Sequence, residues 1–449
     1  MFTYELIHAK KDKINVALGI LVFLCFCGLS ICLVLLWQNI HTYEEPMYPK
    51  LTQTSPYWVD RAISYSRALK HQNPSDLRKP NYNSNEDYDV SNKYIVCYYS
   101  SPDSNDKYVD LNLTDFNASL CTHINLGMSF VFNNTIRLSD DFVNVLKYIP
   151  QMKKKYPSLK LLLWIGGGST ASDGFSEMIK NHQNRKLFIQ SLKSILHTYK
   201  LDGCDLDWEF PSAYNRERMH FSQLLYEIRQ EYKREKSSYL LSVAVAAPEG
   251  IALFSYDVGE INKYADYVNI MTYDYHFYTK GAPFTGLNAP LYARKNEHSI
   301  LATLNINYSV NWWITNGLER KKIVIGLPAY GHSYSLVNPF NTKIGAPASD
   351  YGHTGNQGFV SAGETCWFLL NNILSCNKYD NDTCSPYVSS GSEWISFENE
   401  LSITCKANYI KSMQLGGAML FSLNTDDFSG YCKNGKYPLL RTIYNVLMS

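Results

Sequence analysis

Charge of one sign is what this 449-residue chain lacks most plainly: 42 Lys and Arg stand against 41 Asp and Glu, a formal net charge of +1. Such a balance leaves no electrostatic footprint for nucleic acid. A CxxC pair and any Cys/His cluster at zinc spacing are also missing, so nothing points to a zinc module. Acidic and basic residues are wholly absent from residues 14–37, INVALGILVFLCFCGLSICLVLLW, where Asn15 is the one strongly polar residue. At about 1.5 Å per residue, such a helix crosses a hydrocarbon layer of roughly 30 Å. The sequence that follows, LLWQNIHTYEEP, offers no small-x-small exit, so the run is read as a signal anchor rather than a cleaved signal peptide. A buried core helix is the alternative.

Lys10, Lys11 and Lys13 precede this run, and Glu44 and Glu45 follow it. The positive-inside rule then places residues 1–13 in the cytoplasm and the rest outside or in a lumen, as a single-pass type II membrane protein. Sequons at Asn112, Asn117, Asn133, Asn307 and Asn381 all follow the span, as glycosylation of an ectodomain requires. Cys25, Cys27 and Cys32 lie in the span; the other eight of the 11 cysteines lie beyond it, where an oxidising compartment permits disulfides. Their connectivity does not follow from their number. Residues 38–91 are polar, with scattered Pro and Asn and no sustained period, and read as a stalk.

From residue 92 the texture changes. Eight short β-rich runs recur: 93–99, 122–131, 160–167, 201–210, 240–248, 265–274, 322–331 and 416–424. Most are nearly continuous in apolar residues, as parallel strands buried on both faces require. Amphipathic stretches such as RKLFIQSLKSILHTYK and HFSQLLYEIRQEYKREK separate them. Eightfold β/α alternation predicts a (β/α)8 TIM barrel over residues 92–449. The long gap before the eighth run, rich in Gly, Pro, Cys and aromatics, predicts a small inserted α+β subdomain over residues 332–392. Trp312 and Trp313 fall on a predicted helix and are assigned to the core, and Lys153, Lys154 and Lys155 to a solvated helix end.

The fourth run, LDGCDLDWEFP, holds Asp202, Asp205, Asp207 and Glu209 in a chain of which only 18% is charged. On a strand, side chains alternate, so Asp205, Asp207 and Glu209 share one face and Leu206 and Trp208 the other. The carboxylates then form a column roughly 6.5–7 Å apart, with Glu209 nearest the C-terminal rim, where barrel active sites lie. Three like charges in a poorly solvated core cannot all ionise, so at least one holds a proton near neutrality and serves as a general acid. A structural cluster and a divalent-metal site are the alternatives; a straight column on one strand does not surround an ion.

LDGCDLDWEFP resembles the DGxDxDWEYP signature of glycoside hydrolase family 18, the chitinases and chitinase-like lectins, departing within it only at Phe210. YIVCYYS, CTHINLGMSF, LLLWIGGGS, VNIMTYDYH, FTGLNAPLY, IGLPAYGHSY, GETCWFL and GGAMLFSLNTDDFSGYC are similar to further motifs of that family, from residue 93 to the C-terminus. The resemblance implies hydrolysis of β-1,4-linked N-acetylglucosamine glycans, chitin or chitooligosaccharides, with the substrate's own N-acetyl oxygen as nucleophile. Glu209 would be the acid, Asp207 would orient the acetamido group and share a proton with Glu209, and Asp205 would tune Asp207. Tyr273 would hydrogen-bond the attacking oxygen, while Tyr98, Asp274 and Tyr330 line the central sugar site and Met271 packs beneath it. No metal or organic cofactor is implied. Cys97 with Cys121 and Cys366 with Cys432 would match the family's bridges. Cys376 with Cys384 is a local expectation that leaves Cys204 and Cys405 over.

The sugar platform departs from the family pattern. Where tryptophans are usual, motif alignment gives Pro102, Gly168, Thr279 and Phe421, of which only Phe421 keeps a ring. His332 stands where an Arg follows the seventh-strand YG, and Phe277 replaces a Gly; Phe277 and Tyr278 offer a different platform. A catalytically weak chitinase-like lectin and a purely structural cell-surface domain are therefore carried as alternatives to a glycosidase.

Overall fold

A computed structural model describes residues 93–101, 111–213, 215–432 and 434–449. The expected cytoplasmic tail, the membrane span at 14–37, the stalk at 38–91 and Pro102 lie outside the described residues. Among the described residues no helix is long and apolar enough to cross a membrane.

The eight apolar runs form eight parallel strands: Tyr94–Ser100, His123–Phe132, Lys160–Gly167, Gly203–Trp208, Leu240–Ala246, Tyr267–Met271, Ile323–Pro328 and Gly417–Phe421. Each pairs with its neighbour in sequence, and the first pairs with both the second and the last, which closes the barrel. A ninth strand, Thr135–Arg137, folds back antiparallel on the extended end of the second. Helices His182–Tyr199 and Glu217–Arg234 flank the fourth strand in sequence. Trp208 points outward, stacking on Phe175 of the short helix Phe175–Met178 and meeting Phe221 of helix Glu217–Arg234 edge-on. Leu206 is likewise buried.

Inside the barrel, Val96, Tyr98, Leu162, Trp164, Tyr267, Tyr273, Val324, Tyr330 and Met419 make one cluster. Two glycines make room for its largest rings. A Cβ at Gly127 would lie 2.6 Å from the Trp164 ring, and one at Gly326 would lie 2.6 Å from Tyr273. Trp312 and Trp313, on helix Ile306–Thr315, are buried as expected.

The inserted subdomain runs from Tyr330 to Ser396, two residues earlier and four later than the 332–392 expected, because the seventh strand stops at Pro328 and a new strand begins at Tyr330. It is a six-stranded antiparallel sheet with one helix, Ala362–Asn371. Cys97–Cys121 and Cys366–Cys432 are bridged. The expected Cys376–Cys384 bridge is not formed; Cys384 pairs with Cys405 on helix Glu400–Ser412. Hairpin register explains the correction. Cys376 pairs with Ser389 at the far end of a ladder whose turn end is Asp380 with Ser385. Four residues of strand, about 13 Å, separate Cys376 from Cys384, beyond the roughly 7 Å a disulfide spans. Cys376 is left exposed and Cys204 buried.

Candidate active site

The fourth strand carries the column the alternation predicts. Asp205 is fully buried and accepts from Tyr98 Oη at 2.5 Å, Ser242 Oγ at 2.6 Å and Asn269 Nδ2 at 3.0 Å. Burial pushes its carboxyl up, and these donors pull it back toward the charged form. One turn of the pleat further, Asp207 is 2% exposed. Its Oδ2 accepts from Trp164 Nε1 at 2.9 Å, while its Oδ1 is buried with no hydrogen-bond partner among the described residues. Burial, then the charges of Glu209 and Asp205, hold Asp207 well above the usual carboxylate range. Glu209 stands at the rim, half-buried. Its carboxyl is raised to about 7, first by burial and then by the charge of Asp274. Both carboxyls thus hold a proton more readily than an ordinary exposed carboxylate. Ser172 Oγ accepts from Glu209 N at 2.9 Å and donates to Gly167 O at 2.8 Å, which fixes the backbone that aims Glu209.

Asp202, the fourth acidic residue, does other work. Its carboxylate pairs with Lys153 at 2.9 Å and accepts from Leu161 N at 2.8 Å, pinning the start of the strand. Lys153 is thus an ion-pair partner as well as part of a helix end.

Thr272, Tyr273 and Asp274 follow directly on the end of the sixth strand. Thr272 Oγ1 donates to Gly326 O at 2.6 Å, and Asp274 N donates to Asn288 Oδ1 at 2.8 Å, so the loop is held from both sides. Asn288 belongs to FTGLNAPLY. Among the described residues, the Tyr273 hydroxyl reaches only the Met419 sulfur, at 3.9 Å, and remains available to a substrate oxygen. Asp274 Oδ1 accepts from Tyr330 Oη at 2.8 Å and meets His332 Nε2 at 2.7 Å. Phe421 floors this space, touching Tyr98, Trp164, Tyr273 and Tyr330 at ring separations of 5.5–6.2 Å. Met271 packs against the same cluster.

Some placements differ from expectation. Tyr98 is 1% exposed; its hydroxyl donates to Asp205 and accepts from Asn269, so it braces the column instead of lining the sugar site. Tyr278 is turned inward, with its hydroxyl on Ser349 O, and only Phe277 is exposed as a platform. Asn307 is 5% exposed on a buried helix, and its carboxamide oxygen accepts from Tyr409 Oη and Asn311 Nδ2. A glycan does not fit there, because the amide is sealed between two helices. Asn112, Asn117, Asn133 and Asn381 are exposed.

Trp164, Ser172, Ser242 and Asn269 were not anticipated. Ser242 and Asn269 were signalled by single polar residues inside otherwise apolar strands, LLSVAV and YVNIM. A polar group buried there needs a partner, and Asp205 supplies it. Trp164 gave no such signal, since a Trp in an apolar strand reads as core. The groups around Asp205 and Asp207 are hydroxyl and N–H donors, which match carboxyl oxygens and leave no convergent set for a cation.

Gly168 directly follows the third strand. A Cβ there would lie 3.7 Å from both carboxyl oxygens of Glu209, so the absent side chain is one that would roof the acid.

Comparison with known proteins agrees with this geometry. The chain is 32% identical to mouse chitotriosidase-1 over 370 residues, covering 79% of this chain and 78% of that protein. Its structure is similar to an Ostrinia furnacalis group IV chitinase, with a TM-score of 0.74 at 33% identity over 80% of this chain and 100% of that one. It is equally similar to human YKL-39, a pseudo-chitinase with retained chitooligosaccharide binding properties, with a TM-score of 0.75 at 29% identity over 80% of this chain and 100% of that one. The model of the glycosyl hydrolases family 18 matches residues 94–426, from the first barrel strand to just past the eighth, and the chain belongs to that family.

Proposed function

We propose that the protein is a glycosidase that cleaves β-1,4-linked N-acetylglucosamine glycans by substrate-assisted retention. One observation carries this reading. A carboxyl raised to about 7 stands at the rim end of the column, beside a buried carboxyl oxygen of Asp207 that has no partner among the described residues. A buried acceptor without a donor costs about 1–3 kcal/mol, and a substrate N–H approaching from the cleft would remove that cost.

The steps follow from these atoms. Asp207 Oδ1 accepts the acetamido N–H and turns the acetamido oxygen toward C1 of the same sugar. Tyr273 Oη donates to that oxygen. As the oxygen bonds to C1, the glycosidic C–O bond breaks and Glu209 gives its proton to the leaving oxygen. The positive charge on the cyclised acetamido group is met by Asp207. Water then attacks C1, Glu209 takes its proton, and the ring opens with the original β configuration restored.

A second reading, a chitinase-like lectin, is favoured by the altered platform. Gly168 and Thr279 carry no ring where the family has tryptophan, and YKL-39, to which the chain is similar, is a pseudo-chitinase with retained chitooligosaccharide binding properties. Assay of the full-length chain and its Glu209→Gln variant on chitooligosaccharides separates the two. The glycosidase reading expects turnover that falls by about 10²–10⁴-fold in the variant. Sugar binding with the same background rate in both proteins would give the lectin reading.

We further propose a single-pass type II topology, with the barrel extracellular or lumenal. It is supported by the uncharged run at 14–37, its lysine-rich N-terminal flank and the exposed asparagines of four sequons.

A further inference from the structure

We propose that an N-linked glycan on Asn133 lays its first N-acetylglucosamine on the ring of Phe132 and so covers the exposed apolar face of the hairpin that extends the second barrel strand. This rests on the lumenal topology proposed above. Strand His123–Phe132 turns through Asn133 and Asn134 into strand Thr135–Arg137. Both turn residues have positive φ, 49° and 60°, as a two-residue primed turn requires and asparagine accommodates. One face of the hairpin is buried: it carries Val131 and Ile136, and Ile136 N donates to Ser191 Oγ of helix His182–Tyr199 at 3.1 Å. The other face carries Phe130 and Phe132, 42% and 51% exposed.

The turn accounts for the asparagines but not for the rings. Thr135–Arg137 is the last strand in the order of its sheet, and apolar side chains exposed beside a sheet edge invite pairing with other chains. The sequence supplies a cover at the same place. Asn133, Asn134 and Thr135 form a sequon. Asn133 is exposed, and its carboxamide has no hydrogen-bond partner among the described residues. Asn112 and Asn117, by contrast, use their side-chain oxygens to accept from Thr114 N and Ser119 N. Phe132 directly precedes the sequon and pairs across the turn with Thr135, whose hydroxyl donates to Phe132 O at 3.0 Å. The Arg137 guanidinium lies over one face of the Phe132 ring at 5.2 Å, which leaves the other face for a ligand. A pyranose offers apolar C–H groups to such a face, and the guanidinium can donate to its oxygens. A sugar joined to the next residue is already held beside the ring, so it loses little freedom on stacking. A free chitooligosaccharide has no such tether.

The test uses the full-length chain expressed in a cell that glycosylates secreted proteins. Peptide mapping with and without enzymatic deglycosylation is expected to find Asn133 occupied. Thermal midpoints at one scan rate are then compared for the wild type, Asn133→Gln, Phe132→Ala and the double variant. Loss of the glycan is expected to lower the midpoint by about 1–3 °C when Phe132 is present and to leave it unchanged in the Phe132→Ala background. Equal losses in both backgrounds, or none in either, overturn the proposal. Chitooligosaccharide affinity is expected to be the same in Phe132→Ala and the wild type; a loss of affinity in Phe132→Ala would give this face to the substrate cleft and overturn the proposal. An unoccupied Asn133 beside other occupied sequons overturns it and leaves the topology standing, whereas no occupied sequon at all overturns the topology with it.

Discussion

Glu209 differs from the two carboxyls beneath it in what can reach it. Asp205 is sealed by three donors, Asp207 is half-sealed by Trp164, and Glu209 is open to the rim. Three carboxyls at strand spacing thus differ along a gradient of solvation. The gradient has a measurable cost. Glu209 binds its proton more tightly folded than unfolded, its carboxyl rising from 4.5 to about 7. The stabilising contribution of that proton is fully present below about pH 4.5 and lost as pH rises through about 7. Glu209→Gln cannot ionise, so it should stabilise the protein at pH 8 relative to pH 4 by up to about 3 kcal/mol. Urea denaturation of both proteins at the two pH values checks this, and an equal difference at both would contradict it. The charge of Glu209 helps to raise the Asp207 carboxyl, so Asp207→Asn should move the alkaline limb of activity as well as lower the rate.

At the scale of elements, the barrel strands were legible because runs buried on both faces stay apolar, and the carboxylate column was legible because a strand's period is two. The details that support the column were less so. Ser242 and Asn269 announce themselves as polar breaks in apolar strands, whereas Trp164 is indistinguishable from core until its indole N–H is placed on Asp207. The motif position of Tyr98 points to the sugar, yet its hydroxyl donates to Asp205. The disulfide at Cys384 depends on hairpin register and on a helix 21 residues away in sequence, neither of which a local spacing contains. Loop-closure entropy predicts that Cys405→Ala costs about 3 kcal/mol, while Cys376→Ala leaves stability within about 0.5 kcal/mol. Chemical denaturation of both variants distinguishes this pairing from the local one. The loop at Gly168 makes a separate prediction. Its Cβ position meets nothing closer than 3.7 Å, so Gly168→Trp fits the backbone and should return about 1 kcal/mol of stacking. Calorimetry should then show roughly fivefold tighter binding of chitooligosaccharides, and unchanged affinity would mean that the platform is not what this cleft is missing.

For the whole molecule, the sequence proposes a barrel displayed on the far side of a membrane. Four exposed sequons and one sealed between helices give that topology a specific signature. Asn→Gln changes at Asn112, Asn117, Asn133 and Asn381 should each be able to raise gel mobility, whereas Asn307→Gln should leave it unchanged. Protection of the barrel from protease in intact vesicles should accompany the glycosylation, and digestion of the barrel there would contradict the topology. The chemistry is tested most directly by the anomeric form of the first product. Proton NMR of a chitooligosaccharide digest, recorded before mutarotation, should show the β-anomer accumulating first with the wild-type chain and no accumulation with Glu209→Gln. Initial release of the α-anomer, or product that forms equally in the variant, would contradict the assignment of Glu209 as the proton donor of a retaining reaction.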